Sequence, residues 1–235
     1  MGAIFFSIDL ELVHVLQRAL RLGVFVETGT FQGDTAHSVA PFFERIYTIE
    51  LSDSLFPRAA ARFGQVPHVS VLHGDSPKVL RELHESLHTK GVLYWLDAHW
   101  CGPYTGGETR ECPLLDELKA IAAVNDQTVV LIDDARLFLS PPPPPHDPQQ
   151  WPTLLQVVEQ ISKLSAAHEL WVINDVMLFT PTAIRTAVIE YSRTRGIDLL
   201  TLAQTASRAG RIERSASTRS NSVAARLTTR LFDIT

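Results

Sequence analysis

Apolar and polar positions fall into two kinds of pattern along this chain. After Asp9, residues Leu10, Val13, Leu16, Ala19, Leu20 and Leu22 recur near every 3.6 positions, with Arg18 and Arg21 late in the stretch. That spacing predicts an amphipathic helix over 9–22, capped by Asp9. Short apolar runs rich in β-branched residues follow at 24–28, 46–50, 69–73, 92–97 and 128–133. Helix-compatible segments separate them at 34–43, 54–63, 76–88 and 113–124. Such alternation predicts a parallel sheet covered by helices on both faces. Two further runs, 169–173 and 176–180, are split only by Asn174-Asp175, a pair suited to a two-residue hairpin. The hairpin would bring one antiparallel strand into the sheet. Between the fifth and sixth runs, five prolines at 141–145 can be neither helix nor central strand and predict an exposed, stiff loop.

Composition narrows the class. The 235 residues are 45% hydrophobic and 20% charged, the balance of a soluble globular protein with one sizeable core. No apolar run approaches the roughly 20 residues of a membrane span, and no basic segment precedes the N-terminal apolar residues as in a signal peptide. Cys101 and Cys112 do not make a disulfide framework, which fits a reducing, cytoplasmic setting. The net charge of −5 hides an asymmetry: residues 193–235 carry eight Arg and three acids, leaving −10 on the rest. An acidic body argues against nucleic acid as the main partner. The Ser/Thr/Ala/Arg composition predicts a poorly ordered tail over 197–235, behind a folded domain spanning 1–196.

The chemistry concentrates at the strand ends. Val24, Phe25 and Val26 run into Glu27, then Gly29 and Gly33, then Asp34 and Thr35 at the start of a helical stretch. A buried strand that stops in a glycine turn before a helix offers free N–H groups to the polar part of a nucleotide-like ligand. Every predicted parallel strand ends in or just before an acid: Glu27, Glu50, Asp75, Asp97 and the Asp133–Asp134 pair. In a doubly wound sheet that edge is where ligands bind. Glu50 lies 21 residues after Gly29, the spacing at which a carboxylate meets ribose hydroxyls. Asp75, followed by Ser76, is positioned for an adenine amino group, and in part to cap the next helix.

These residues resemble the class I S-adenosylmethionine-dependent methyltransferases, over roughly residues 8–180. The acid-x-Gly turn of that family corresponds to Glu27-Thr28-Gly29 running to Gly33, its ribose acid to Glu50, and its adenine-side Asp to Asp75. The resemblance implies a Rossmann-like α/β fold: doubly wound, mostly parallel and seven-stranded, with an antiparallel strand 7. One departure is Phe31 at the position of the usual middle glycine. Asp97-Ala98-His99 after strand four and Asp133-Asp134 after strand five look like the metal-dependent small-molecule O-methyltransferases. That likeness implies Mg²⁺ or another divalent cation on Asp97, Asp133 and Asp134, lowering the pKa of an acceptor hydroxyl. Other roles remain open: Asp133 and Asp134 as helix cap or as partners of Arg136, with Asp97 facing the ligand's sulfonium without a metal.

His99 could be a general base, a metal ligand or a residue packed behind the site; with Cys101 and Cys112 it could hold zinc, though no fourth ligand is evident. The 36-residue separation of Asp97 and Asp133 exceeds that of the metal-dependent subgroup. The excess lies in 100–111, with Gly102, Gly106 and Gly107, and predicts a lid over the acceptor pocket, to which Trp100 and Tyr104 would contribute. The function implied is methyl transfer to a hydroxyl of a small-molecule acceptor, with Asp97 and His99 catalytic. Two alternatives compete: a nicotinamide-dependent oxidoreductase, disfavoured by the missing Gly-x-Gly-x-x-Gly, and a non-catalytic nucleotide-ligand-binding module.

Overall fold

The computed structural model describes residues 7–102 and 105–198. Tyr104 and the Arg-rich segment from residue 199 onward lie outside them. The chain divides into two units, Met1–Thr194 and Arg195–Thr235, and the first of them holds the sheet and the candidate site.

Seven strands form one sheet in the order β3-β2-β1-β4-β5-β7-β6. They are β1 Val24–Thr28, β2 Arg45–Glu50, β3 Val69–His73, β4 Val92–Leu96, β5 Val129–Ile132, β6 His168–Ile173 and β7 Val176–Pro181. Pairing is parallel from β3 through β5; β7 runs antiparallel to both β5 and β6. The expected doubly wound sheet with an antiparallel strand 7 is therefore present. β1 is the centre of the reversal, with Val26 level with Tyr47 on one side and Tyr94 on the other. The cleft above the ends of β1 and β4 is the switch point where such sheets bind ligands.

Helices α1 Leu10–Ala19, α2 Asp34–Val39, α3 Phe56–Phe63, α4 Ser76–Leu87, α5 Leu114–Ile121, α6 Arg136–Leu139, α7 Leu154–Ile161 and α8 Arg185–Arg195 cover the two faces. The Asp9 carboxylate accepts from the Glu11 N–H and caps α1, as its sequence position predicts. Side chains alternate across each strand, so neighbours feed opposite cores. Val24 and Val26 join Leu118, Ile121, Val157 and Ile161 on one face. Phe25 joins Val13, Leu16, Val39, Trp95 and Val188 on the other. Trp95 is wholly buried. Truncating such a side chain costs about 3–5 kcal/mol, because the cavity left behind adds to the lost transfer energy.

The hairpin forms as its sequence predicts: Asn174 (φ 52°) and Asp175 (φ 69°) both take the left-handed conformation of a two-residue turn. Three helices went unpredicted. α7 buries only Val157 and Ile161, and α8 only Val188 and Tyr191, too few to print a stripe. What starts α7 is a reciprocal cap, in which the Thr153 hydroxyl accepts from the Gln156 N–H while the Gln156 side chain accepts from the Thr153 N–H. α6 is a single turn.

Candidate functional site

Two glycines shape the first turn for different reasons. At Gly29 (φ +82°) a Cβ would stand 2.3 Å from the Asp97 carbonyl oxygen, so only glycine lets β1 turn beside the end of β4. At Gly33 (φ +80°) a Cβ would meet the Phe63 ring at 2.7 Å. Gly33 serves helix packing and does not line the cavity. Phe31 also adopts a positive φ, 49°, where the family pattern has glycine. A left-handed non-glycine residue costs about 1–3 kcal/mol and persists where its surroundings fix it. Here the Phe31 N–H donates to Glu50 Oε2 at 2.8 Å.

Above the switch point lies a cavity of about 330 Å³. Its wall includes Gly29, Phe31, Glu50, Asp75, Ser76, Asp97 and His99. Gly29, Glu50, Asp75, Ser76, Asp97 and His99, six of the candidate site residues named from sequence, thus converge on one space. Glu50, at the end of β2, is almost fully buried; Oε1 accepts from the Ser52 N–H at 2.8 Å, opposite the Phe31 contact. Each carboxylate oxygen keeps a second lone pair for a ligand hydroxyl. Asp75 immediately precedes α4 and makes no side-chain cap bond there. It pairs instead with Arg110, whose Nη1 lies 3.2 Å and 3.3 Å from its two oxygens.

Glu27 is not on the cavity wall. Its buried carboxylate accepts from the Thr48 hydroxyl at 2.5 Å, and Thr48 is 2.6 Å from the Thr30 hydroxyl. Burial pushes the Glu27 pKa up to about 8, with the Thr48 bond opposing it. The acid of the turn therefore braces β1 against β2 from within. Glu117 was missed in sequence altogether. It stands on the apolar face of α5 among Leu114, Leu118 and Ile121, fully buried, and accepts from the Ser76 hydroxyl at 2.5 Å. Burial raises its pKa to about 7, against the bonds from Ser76 and Thr28. An acid on a helix's apolar stripe was the available signal.

At the other end of the cavity His99 is held between two carboxylates. Its Nε2 lies 2.9 Å from Asp134 Oδ2 and its Nδ1 3.5 Å from Asp97 Oδ1. Asp134 Oδ1 accepts from Arg136 Nη1 at 2.5 Å, and Arg136 in turn is bound by Asp175 of the β6–β7 turn. Burial would push the His99 pKa down, but the Asp134 bond, helped by Cys101 and Asp97, carries it well above the usual value. Asp134 moves oppositely: burial raises it, and His99 more than reverses this, leaving it at about 2. The pair is an imidazolium on a carboxylate. Asp97 is raised by burial, with His99 opposing, and Asp133 is raised to about 7 by burial and the neighbouring Asp97 and Asp134 charges.

This arrangement does not fit the cation expected on Asp97, Asp133 and Asp134. Both Asp134 oxygens already face cationic side chains, and Asp133 Oδ1 accepts from the Asp134 N–H at 2.8 Å. Asp133 and Asp134 stand behind His99, off the main cavity wall. Among the described residues no three His, Cys, Asp or Glu side chains gather as a metal site, which also leaves the zinc alternative without a cluster. The pairing with Arg136, one of the alternatives legible in sequence, is what the structure contains.

From the loop over 100–111, Cys101, Thr105, Gly106, Gly107, Thr109 and Arg110 line the same cavity as Glu50, Asp75, Asp97 and His99. The base of the loop is closed by the Trp100 N–H donating to the Glu111 carbonyl at 2.7 Å. The Glu111 carboxylate accepts from Trp151 Nε1 at 2.7 Å and from the Asp147 N–H at 3.0 Å, and meets His146 Nδ1 at 3.2 Å. The segment after the prolines therefore anchors the loop. Trp100 stacks edge-on against His146 and is not on the cavity wall.

No helix among the described residues is long and apolar enough to cross a membrane. No protein-family model matches the chain, and no curated protein sequence matches it. Among solved structures it is similar to a caffeoyl-CoA O-methyltransferase candidate from Staphylococcus aureus, with 15% identity over 75% of this chain and 86% of that one, TM-score 0.45. It is also similar to an rRNA methylase from Streptococcus thermophilus, with 11% identity over 73% and 94%, TM-score 0.43. A third is the N-methyltransferase NodS from Bradyrhizobium japonicum, with 14% identity over 72% and 90%, TM-score 0.42. Strand order, the antiparallel β7 and the glycine turn at the switch point together make this the fold of the class I S-adenosylmethionine-dependent methyltransferases.

Proposed function

We propose that this protein transfers a methyl group from S-adenosylmethionine to a hydroxyl of a small-molecule acceptor. The observation that carries the reading is one cavity with a backbone-fixed carboxylate, Glu50, at one end and Asp97 and His99, the latter backed by the buried Asp134, at the other. The donor fits the first end, where Glu50 offers two lone pairs to a ribose diol. When bound, S-adenosylmethionine supplies a methyl group activated on a sulfonium. Asp75 and Ser76 take the adenine side, as their positions in sequence suggest.

Asp97 then accepts the acceptor's proton as oxygen and methyl approach in line. It faces the cavity, and burial makes it more basic than an ordinary carboxylate, which suits proton removal near neutral pH. His99, already cationic on Asp134, orients Asp97 and offsets the charge around it. Most of the rate advantage would come from holding oxygen and methyl together. The reading requires no divalent cation, because His99 and Arg136 already satisfy Asp134. The net negative charge of residues 1–192 favours a small acceptor over nucleic acid.

Calorimetric titration with S-adenosylhomocysteine and with NAD⁺ tests the donor half. Binding of the first and not the second is expected; tight NAD⁺ binding with no response to S-adenosylhomocysteine would overturn the reading. Label transfer from methyl-labelled S-adenosylmethionine to a panel of hydroxyl compounds tests the chemistry. Label found only in carboxyl, amine or nucleic-acid acceptors would refute the hydroxyl assignment.

A further inference from the structure

We propose that Arg110 is a positioning residue for the donor's adenine and the latch that closes the 105–110 loop over the bound donor; this rests on the methyltransferase reading above. One guanidinium joins three elements. Nη1 reaches both oxygens of Asp75, at the end of β3, and Nη2 reaches Asp116 Oδ2 on α5 at 2.6 Å. Lys119 Nζ holds the other Asp116 oxygen at 2.8 Å, so the anchor on α5 is itself fixed. The loop behind Arg110 is pinned at its base by the Glu111–Trp151 bond and the Trp100–Glu111 backbone bond. Its crown approaches β2, where a Cβ on Gly106 would stand 3.4 Å from Leu51 Cδ2. Arg110, Asp75, Glu50 and Leu51 all line the one cavity, so the loop cannot leave the donor uncovered while the Arg110–Asp75 pair holds.

The bridge acts on both base selection and product release. Asp75 is an acceptor-only group, so it favours an exocyclic amino donor over the carbonyl of hypoxanthine. With Arg110 fixing its plane, that preference is sharper than a freely rotating carboxylate would give. Release of the product nucleoside also requires the loop to lift, which breaks both arginine contacts. The pairs are about half exposed, so the effect of each is modest and both must be counted.

The experiment compares the unsubstituted full-length chain with Arg110→Gln, Arg110→Lys and Asp116→Asn. The probes are S-adenosylhomocysteine and S-inosylhomocysteine, followed by calorimetry and stopped-flow release. Arg110→Gln should speed S-adenosylhomocysteine release and reduce the adenine-over-hypoxanthine preference, each by about 3- to 10-fold, the size that one or two exposed ion pairs allow. Arg110→Lys keeps the charge without the two-armed bridge and should fall between, as should Asp116→Asn. A purely structural arginine would lower the melting temperature and leave the base preference alone. Unchanged preference and release in Arg110→Gln, with donor binding intact in the parent, overturns the role of Arg110 alone. Failure of the parent to bind S-adenosylhomocysteine overturns the methyltransferase reading and this role with it.

Discussion

His99 Nε2 lies 2.9 Å from Asp134 Oδ2, in a site where both side chains are buried. A buried imidazolium on a carboxylate is stable only as a pair, since removing either partner strands the other charge. Asp134→Asn should therefore release the proton of His99 and change the charge beside Asp97. We expect turnover to fall by roughly 10²–10⁴-fold in His99→Ala and Asp134→Asn, the range of general acid–base effects, with S-adenosylhomocysteine affinity within about twofold of the parent. Single-turnover label transfer and calorimetry read the two quantities separately. Equal loss of donor binding in both variants would move His99 from the acceptor end of the cavity to the donor end.

Glu50 gives the complementary prediction. Its carboxylate is fixed by the Phe31 and Ser52 N–H groups and sits on the cavity wall. Glu50→Ala should weaken S-adenosylhomocysteine binding by roughly 1–3 kcal/mol, the value of charge-assisted bonds to hydroxyls. The change also removes the acceptor that holds Phe31 at positive φ. Glu50→Gln keeps one acceptor oxygen and should lose less. Calorimetry on the three chains decides it, and unchanged affinity in Glu50→Ala would take the ribose away from Glu50.

The sheet was legible because strands buried on both faces print continuous apolar runs, whereas a helix with one buried face keeps a 3.6 period. Val24 to Val26, buried on both sides, read as strand without ambiguity, and Asn174-Asp175 named its own turn. α7 and α8 were not legible, since each contributes two residues to a core set mainly by the strands. In the site, sequence brought Glu50, Asp75, Asp97 and His99 together because strand ends converge in a doubly wound sheet. It could not tell which way a strand-end acid faces: Glu27 turns inward to Thr48, and Asp134 turns to His99 and Arg136. Glu117 and Arg110 were overlooked for a related reason. Their partners, Ser76 and Asp75, lie 41 and 35 residues away, and no local spacing encodes such contacts.

The occupied oxygens of Asp134 give a prediction about metal. With His99 and Arg136 in place, excess EDTA should leave methyl transfer unchanged, and added Mg²⁺ or Mn²⁺ should not stimulate it. Asp133→Asn should cost stability more than turnover, because Asp133 stands behind His99 and off the main cavity wall. Activity lost to EDTA and restored by Mg²⁺ would mean that the acids rearrange around a cation on acceptor binding. That outcome would return Asp97, Asp133 and Asp134 to the ligand roles implied by the family resemblance.

The buried acids predict how stability depends on pH. Glu117 is raised from an ordinary 4.5 to about 7 and Glu27 to about 8, in both cases chiefly by burial. A carboxyl whose pKa is higher folded than unfolded binds more protons in the native state between the two values. Its contribution to stability is fully present below about pH 4.5 and is lost as pH rises through the folded value. The unit should therefore be less stable at pH 8 than at pH 5. Asp134 titrates in the opposite sense, with its folded value at about 2, and so acts only at lower pH. Glu117→Gln isolates one group: the amide stays neutral and its oxygen can still accept from Ser76. A rise from 4.5 to about 7 corresponds to roughly 3 kcal/mol at most, so the variant should gain up to that amount over the parent at pH 8 and nothing at pH 4. Urea unfolding at pH 4, 6 and 8 measures it. Parallel pH profiles for parent and variant would show that Glu117 ionises without penalty and that its burial is relieved by contacts other than Ser76 and Thr28.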